Sequence, residues 1–340
     1  MKSEPALLLQ AAAAPAPRVS VVVPLYNEQE VLPALHRRLV AALADLGLPW
    51  EIVYVDDGSR DATAQLLRQL HVVEPTVGFL RLSRNFGKEA AMSAGLRAAS
   101  GDAVVILDAD LQDPPELLPA MLQAWRQGAD VVNMRRRSRQ GETWFKRATA
   151  HAFYRVINRL SDVPIPEDVG DFRLLSRCAV DALNQLPERN RFMKGLFAWI
   201  GFEQVTLEYD RAPRAAGTTK WRYRKLWAFA LEGITGFSVA PLKLASYSGF
   251  LIAGGAFLFA LHFVIKTWLF SEPVAGFPTL IVTISLLGGL QLIAIGVLGE
   301  YLGRLFMESK QRPLYLVDEY RAPAGGPQPS RSTTLPVHAG

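Results

Sequence analysis

Two stretches near the carboxyl terminus, residues 244–265 (LASYSGFLIAGGAFLFALHFVI) and 273–299 (PVAGFPTLIVTISLLGGLQLIAIGVLG), contain no Lys, Arg, Asp or Glu. At about 1.5 Å per residue, a helix made of either would cross the roughly 30 Å hydrocarbon core of a bilayer. Lipid offers the backbone no hydrogen bonds, so a helix that satisfies its own polar groups is the form such a run must take there. The flanking charges give the pair a direction. Lys220, Arg222, Arg224, Lys225 and Lys243 precede the first run and Arg304, Lys310 and Arg312 follow the second, whereas the connection holds only Lys266 and Glu272. By the positive-inside rule both ends are cytoplasmic and the connection lies outside. The large amino-terminal part is thus expected to work in the cytoplasm, held at the inner membrane by two spans.

The remaining totals mainly exclude. Lys and Arg number 37 against 32 Asp and Glu, and their placement beside the spans fits attraction to anionic headgroups. No zinc-finger spacing, aromatic RNA-binding strand or basic heptad array occurs, so nucleic acid is not an expected partner. The single cysteine, Cys178, rules out an intramolecular disulfide and a multi-cysteine metal site; it is expected to be a small buried apolar residue. Residues 1–17 lack a signal-peptide pattern, with Glu4, Pro5 and Gln10 interrupting the apolar run, and the Pro-, Gly- and Ser-rich end is read as a second disordered tail.

Between the tails, β-branched apolar runs alternate with helical patterns: VSVVVPL, EQEVLPALHRRLVAALADLG, EIVYVDDGS, DATAQLLRQLH, VGFLRLS, KEAAMSAGLRAAS, DAVVILDAD, PPELLPAMLQAWRQG and DVVNM. This predicts an α/β domain with a mainly parallel, Rossmann-like sheet and helices on both faces. Ligands of such sheets bind outside the carboxyl ends of the strands. Residues 144–160 add an amphipathic helix with Arg147, His151, Arg155 and Arg159 along one face, and residues 225–237 an interfacial helix before the first span. The expected organisation is a tail (1–17), a cytoplasmic domain (18–222), an interfacial region (223–242), two membrane helices (243–306) and a cytoplasmic carboxyl-terminal segment with its tail (307–340).

The polar clusters fall at the predicted strand ends. In VYVDDGSRDAT a strand closes on Asp56 and Asp57, Gly58 allows a tight turn, and Ser59 or Asp61 can cap the next helix. Capping leaves the paired acids unexplained, and an acid at that place can accept hydrogen bonds from a base or ribose. In DADLQD, Asp108 and Asp110 flank one residue of a turn, and carboxylates that close either raise a pKa or share a cation. Hard divalent ions favour such oxygens, and Gln112 adds a carbonyl. No Gly-x4-Gly-Lys-Ser/Thr loop is present, so a nucleotide would be held through its metal, Mg²⁺ or Mn²⁺.

Taken in order, SVVVPLYNEQEVLPAL, VYVDDGS, LSRNFGKEAAMSAGL and DADLQDPPEL resemble the family-2 glycosyltransferases of the GT-A type. RRRSRQGETWFKR, GDFRLLSR, LPERNRFMKGLFAWIGF, GTTKW and LGEYLGRLF narrow the likeness to the polyprenyl-phosphate glycosyltransferases, in particular the bactoprenol glucosyltransferases, relatives of dolichol-phosphate mannose synthase. The resemblance spans residues 18–318. It implies nucleotide contacts at Pro24, Tyr26, Glu28, Asp57, Asp56 and Asp108, and a metal and diphosphate site at Asp108, Asp110 and Gln112. It further implies catalytic roles for Asp110 and for Asp171 beside the donor sugar, and acceptor-phosphate contacts at Arg136, Arg139 and Lys220.

The implied reaction is metal-dependent, inverting transfer of a sugar from a UDP-sugar to a polyprenyl phosphate, with a homotetramer as the assembly. Glucose is the expected sugar; mannose, an N-acetylhexosamine or formylated aminoarabinose are the alternatives. A processive polysaccharide synthase would carry Gln-x-x-Arg-Trp and more spans, neither of which is found. A non-catalytic membrane protein that binds sugar nucleotides is the reading from another class, and retention of Asp57, Asp108 and Asp110 argues against it.

Overall fold

The computed structural model describes residues 16–137, 169–189, 191–210, 240–270 and 276–324. Both amphipathic stretches, at 144–160 and 225–237, lie outside them, as do Arg139, Lys220 and most of the two tails, 1–15 and 325–340.

The predicted alternation forms as read. Strands β1 (Val19–Leu25), β2 (Trp50–Asp56), β3 (Val77–Leu82), β4 (Ala103–Ile106) and β5 (Val131–Arg136) are joined by helices α1 (Leu32–Ala44), α2 (Thr63–Val73), α3 (Lys88–Ala98) and α4 (Leu118–Arg126). β6 (Val169–Ser176), α5 (Arg177–Gln185), α6 (Met193–Trp199) and β7 (Gln204–Tyr209) follow. Then come two long helices, α7 (Ala240–Phe270) and α8 (Phe277–Ser309), and a last strand, β8 (Val317–Arg321).

The eight strands make one sheet in the order β7-β5-β6-β4-β1-β2-β3-β8, in which β6 and β8 pair antiparallel with their neighbours and the other pairings are parallel. β1 is fully buried, as a strand covered on both faces must be. Leu35, Leu39, Leu67, Met121 and Leu122 from α1, α2 and α4 pack on one face with Val21, Tyr54 and Phe79. Met92, Leu96, Val180, Leu183 and Phe197 from α3, α5 and α6 pack on the other with Val22, Val53 and Leu80. The α3 layer lies very close: a Cβ on Gly95 would stand 2.2 Å from Val22 Cγ1. After β3 the chain crosses to the far side of β1 to build β4, so strand order reverses between β1 and β4 and a crevice opens there.

Three features depart from the sequence reading. Cys178 is exposed, on the outer side of α5, because Ala179, Val180 and Leu183 form that helix's buried face; its Sγ bonds Asp130 Oδ1 at 3.1 Å. α2 starts after Ala62, whose own side chain makes no cap; Ser59 Oγ accepts the Asn27 N–H instead, while Asp61 Oδ1 accepts the N–H of Thr63, the first residue of the helix, at 3.0 Å. The segment after the second apolar helix is not merely a tail. β8 pairs with β3, Val317 opposite Leu82 and Arg321 opposite Phe79, and Arg68 holds Glu319 with Nη2 at 2.8 Å from Oε2.

α7 has 31 residues and α8 has 33, and the two touch. Many of their described apolar side chains, among them Phe250, Leu251, Leu258, Leu292 and Ile293, are exposed, and Leu242–Phe259 and Leu286–Ser309 are long and apolar enough to cross a membrane. The foot of α8 is fastened to the domain: Glu308 Oε1 accepts the backbone N–H of Arg189 at 2.8 Å, and the Arg189 guanidinium donates to Arg312 O.

Candidate active site

The carboxyl ends of β1, β2, β3, β4 and β5 share one edge of the sheet. Because β6 runs the other way, its first residues, Val169, Gly170 and Asp171, come to that edge too, past the pairing of Ile106 with Arg173. Residues from six strands thereby border one crevice.

β1 ends in buried Pro24 and Leu25, and Tyr26 follows, 37% exposed. The next residues are laced to the β2–α2 loop: Asn27 N donates to Ser59 Oγ at 2.9 Å, Glu28 N to Thr63 Oγ1 at 3.0 Å, and Arg60 N to Asn27 Oδ1 at 2.9 Å. Asp56 is fully buried; its Oδ1 accepts the Ser59 N–H at 2.9 Å and its Oδ2 lies 3.6 Å from Arg81 Nε. Asp57 accepts the backbone N–H groups of Phe86 and Gly87 at 2.7 and 2.9 Å, so it fixes the loop between β3 and α3. Burial pushes the Asp57 carboxyl above the usual range, and the two N–H donors oppose that. Gly58, at φ +67°, makes this arrangement possible: a Cβ there would stand 2.5 Å from the Arg84 carbonyl carbon.

The Asp-x-Asp turn is strained. Leu111 is held at φ +59°, rare for a branched side chain, while Asp110 Oδ1 accepts the Gln112 N–H at 3.1 Å. Ala109 between the acids is buried. Asp113, also buried, accepts the hydroxyl of Tyr209 from the far edge strand, and burial followed by Asp113 raises the pKa of that phenol.

Asp108 and Asp171 meet at Lys88, the first residue of α3. Its Nζ lies 2.6 Å from Asp108 Oδ1 and 2.5 Å from Asp171 Oδ2. Burial alone would lower the Lys88 pKa, but Asp108 and then Asp171 outweigh it and raise it above the ordinary lysine range. For Asp171 the signs reverse: burial would raise its pKa, and Lys88 followed by Lys194 holds it well below the carboxylate range. Asp171 sits within β6 rather than at a cap or turn. Arg173, buried in the same strand, lies over the Phe197 ring at 3.7 Å and donates to Gly170 O at 2.8 Å. Lys194 on α6 shares its field with Asp171, Arg173, Lys88 and Arg136. Arg136, at the end of β5, has its Nη2 only 3.3 Å from where a Gly170 Cβ would stand.

The site thus contains acids and cations in alternation, with Lys88, Lys194, Arg173, Tyr209 and Asp113 added to the residues read from the sequence. LSRNFGK and RFMKG contained the two lysines, but a lone Lys in a motif carries no local sign of which acids it will face. Among the described residues no three His, Cys, Asp or Glu side chains converge at metal-binding distance. The donor set nevertheless suits a hard cation: Asp108 and Asp110 are half-buried carboxylates, and Asp108 already draws a positive charge to its Oδ1.

The description "Glycosyl transferase family 2" matches residues 20–183. An uncharacterised glycosyltransferase of Synechocystis is 50% identical over 301 residues, covering 88% of this chain and 95% of its own length. The bactoprenol glucosyl transferase of Shigella phage SfV is 47% identical over 300 residues, 88% of this chain and 98% of that one. A prophage bactoprenol glucosyl transferase homolog of Escherichia coli K12 is 45% identical with the same coverage, 88% and 98%.

Proposed function

Because this chain belongs to the family 2 glycosyl transferases and is a glycosyltransferase, we propose that it transfers glucose from UDP-glucose to the phosphate of a polyprenyl phosphate at the cytoplasmic membrane face. The names of two relatives that align over almost their full length support the sugar and the lipid. One structural observation carries the reading: the crevice edge that gathers Asp57, Asp108, Asp171 and Arg136 is also the edge where β8 begins, eight residues beyond the foot of α8. An acceptor phosphate at the headgroup plane would meet the site there.

The donor nucleotide would lie across the switch point, its base and ribose against Tyr26, Glu28 and Asp57, with Pro24 shaping the floor and Asp56 holding the turn beneath. Asp108, Asp110 and Gln112 would hold a Mg²⁺ or Mn²⁺ ion, which when bound stabilises the negative charge of a departing diphosphate. Asp171 would orient the sugar. Arg136, with Arg139 and Lys220 by resemblance, would hold the acceptor phosphate against its repulsion by the donor diphosphate. A phosphate monoester is anionic near neutral pH and attacks the anomeric carbon without a strong base, so the protein's task is alignment and charge control. A single displacement inverts that carbon and yields a β-linked glucosyl lipid phosphate for later envelope glycosylation. Both termini would be cytoplasmic.

The test is transfer by the detergent-purified protein from labelled UDP- and GDP-sugars to undecaprenyl phosphate, with Mg²⁺, Mn²⁺ or EDTA. Metal-dependent label in the lipid phase from UDP-glucose is the expected result. Label from another donor replaces the sugar and keeps the reaction. Absence of lipid label from every donor overturns the acceptor.

A further inference from the structure

Among the described residues, Lys88 is in direct contact with both Asp108, just past β4, and Asp171, on β6, 2.6 and 2.5 Å from its Nζ. Its place is fixed from behind. Asp57 binds the N–H groups of Phe86 and Gly87 just before it, and Gly87 turns the chain at φ +100° so that Lys88 opens α3 over the crevice. The Lys88 side chain as a whole keeps 43% of its exposure, against 19% for Asp108 and 14% for Asp171, while its ammonium is set between the two acids. A long flexible ammonium between two more deeply set carboxylates can leave them without disturbing the strands that hold them.

The contacted oxygen decides what this means. Asp108 Oδ1 belongs to the acid that would hold the metal, and without a cation two facing carboxylates this deeply set would repel. Resting on the metal reading above, we propose that Lys88 is a resident counter-cation: it keeps Asp108 and Asp171 in place before substrate arrives, and it yields Asp108 Oδ1 to the divalent ion when that ion binds. The ion then pays the electrostatic cost of displacing an ammonium, so metal binds weakly alone and tightly with the nucleotide, whose diphosphate offers the displaced ammonium a new partner. Lys88 is a positioning residue that couples metal uptake to donor uptake.

The readout is Mn²⁺ binding to the full-length protein in detergent, by electron paramagnetic resonance, with and without UDP. Lys88→Gln should bind Mn²⁺ about tenfold more tightly than wild type in the absence of UDP, the effect of removing one nearby like charge. Lys88→Arg, which keeps the charge, should stay close to wild type. UDP should tighten Mn²⁺ binding more in the wild type than in Lys88→Gln. A merely structural lysine would give the opposite, weaker binding in Lys88→Gln, and unchanged or weaker binding there overturns the inference while leaving the metal reading standing. No Mn²⁺ binding by any form, even with UDP, overturns both. A measurement on unaltered protein guards against a variant that does not fold: acetic anhydride labelling of Lys88, read by mass spectrometry, should rise when saturating Mn²⁺ is added without UDP, the condition in which the ammonium has left Asp108 and has no diphosphate to pair with. Labelling that stays constant, while Mn²⁺ is shown to bind, overturns the displacement.

Discussion

Asp57 has a structural task that its motif does not announce. Its carboxylate spans two backbone N–H groups from the loop that launches Lys88, so the acid shapes the cation's position as well as bordering the crevice. Asp108→Asn or Asp110→Asn should lower transfer by about 10²–10³-fold or more while the thermal unfolding transition remains cooperative, since each substitution removes charge control and not packing. Turnover near the wild-type rate in a folded variant would remove both acids from the site. Glu89, next to Lys88, gives a pH signature. Burial, followed by Asp171, pushes its carboxyl up to about 8, and the N–H of Met193 opposes this. Folded protein therefore keeps a proton that unfolded chain loses near its ordinary value of 4.5, and stability falls as pH rises from about 4.5 to about 8. The melting temperature of the wild type should drop across that window, and that of Glu89→Gln should drop less; equal slopes would place Glu89 in a wetter setting. The acids at 56, 57, 108, 110 and 171 were legible because each lies in a local motif. Lys88 and the Tyr209–Asp113 pair were not, because their meaning lies in partners brought 83 and 96 residues across the fold.

At the level of elements, close approach between loops organises the site as much as the strands do. The β2–α2 turn touches the β3–α3 loop at Gly58, where no side chain fits and φ is positive. Gly58→Ala should cost about 1–3 kcal/mol of stability through strain and collision, read by chemical denaturation, and should weaken UDP binding as well. A stable variant with normal UDP binding would show that the two loops can part without consequence. The parallel strands were legible because burial on both faces leaves a continuous apolar run, VSVVVPL being the clearest. β7 and β8 were not. Both are edge strands with exposed or half-exposed charges, Glu208 in one and Asp318 and Glu319 in the other, and such mixed pentamers and hexamers look like loop until a neighbour is seen. The antiparallel direction of β6, which delivers Asp171 to the crevice, is likewise a property of connectivity and has no local sign.

For the molecule as a whole, the spans and the sheet are one construction. Removing residues 314–340, and with them β8, should leave the protein in the membrane fraction yet lower the melting temperature of the cytoplasmic part and reduce lipid glucosylation more than UDP binding. Unchanged melting would mean that β8 is dispensable to the sheet. β3 and β8 carry Arg81 and Asp318, paired across 237 residues of chain, and both long apolar helices are encoded between them. During synthesis β3 emerges early and its outer edge stays bare until the ribosome has passed both apolar helices. If the two helices cross the bilayer as proposed, only a hairpin that has gone out and come back returns the last strand to the side of the sheet, and the domain then finishes folding after the helices are seated. On that reading, a copy in which only one helix inserts is left with β8 on the far side and an open strand edge, the kind of surface on which chains aggregate.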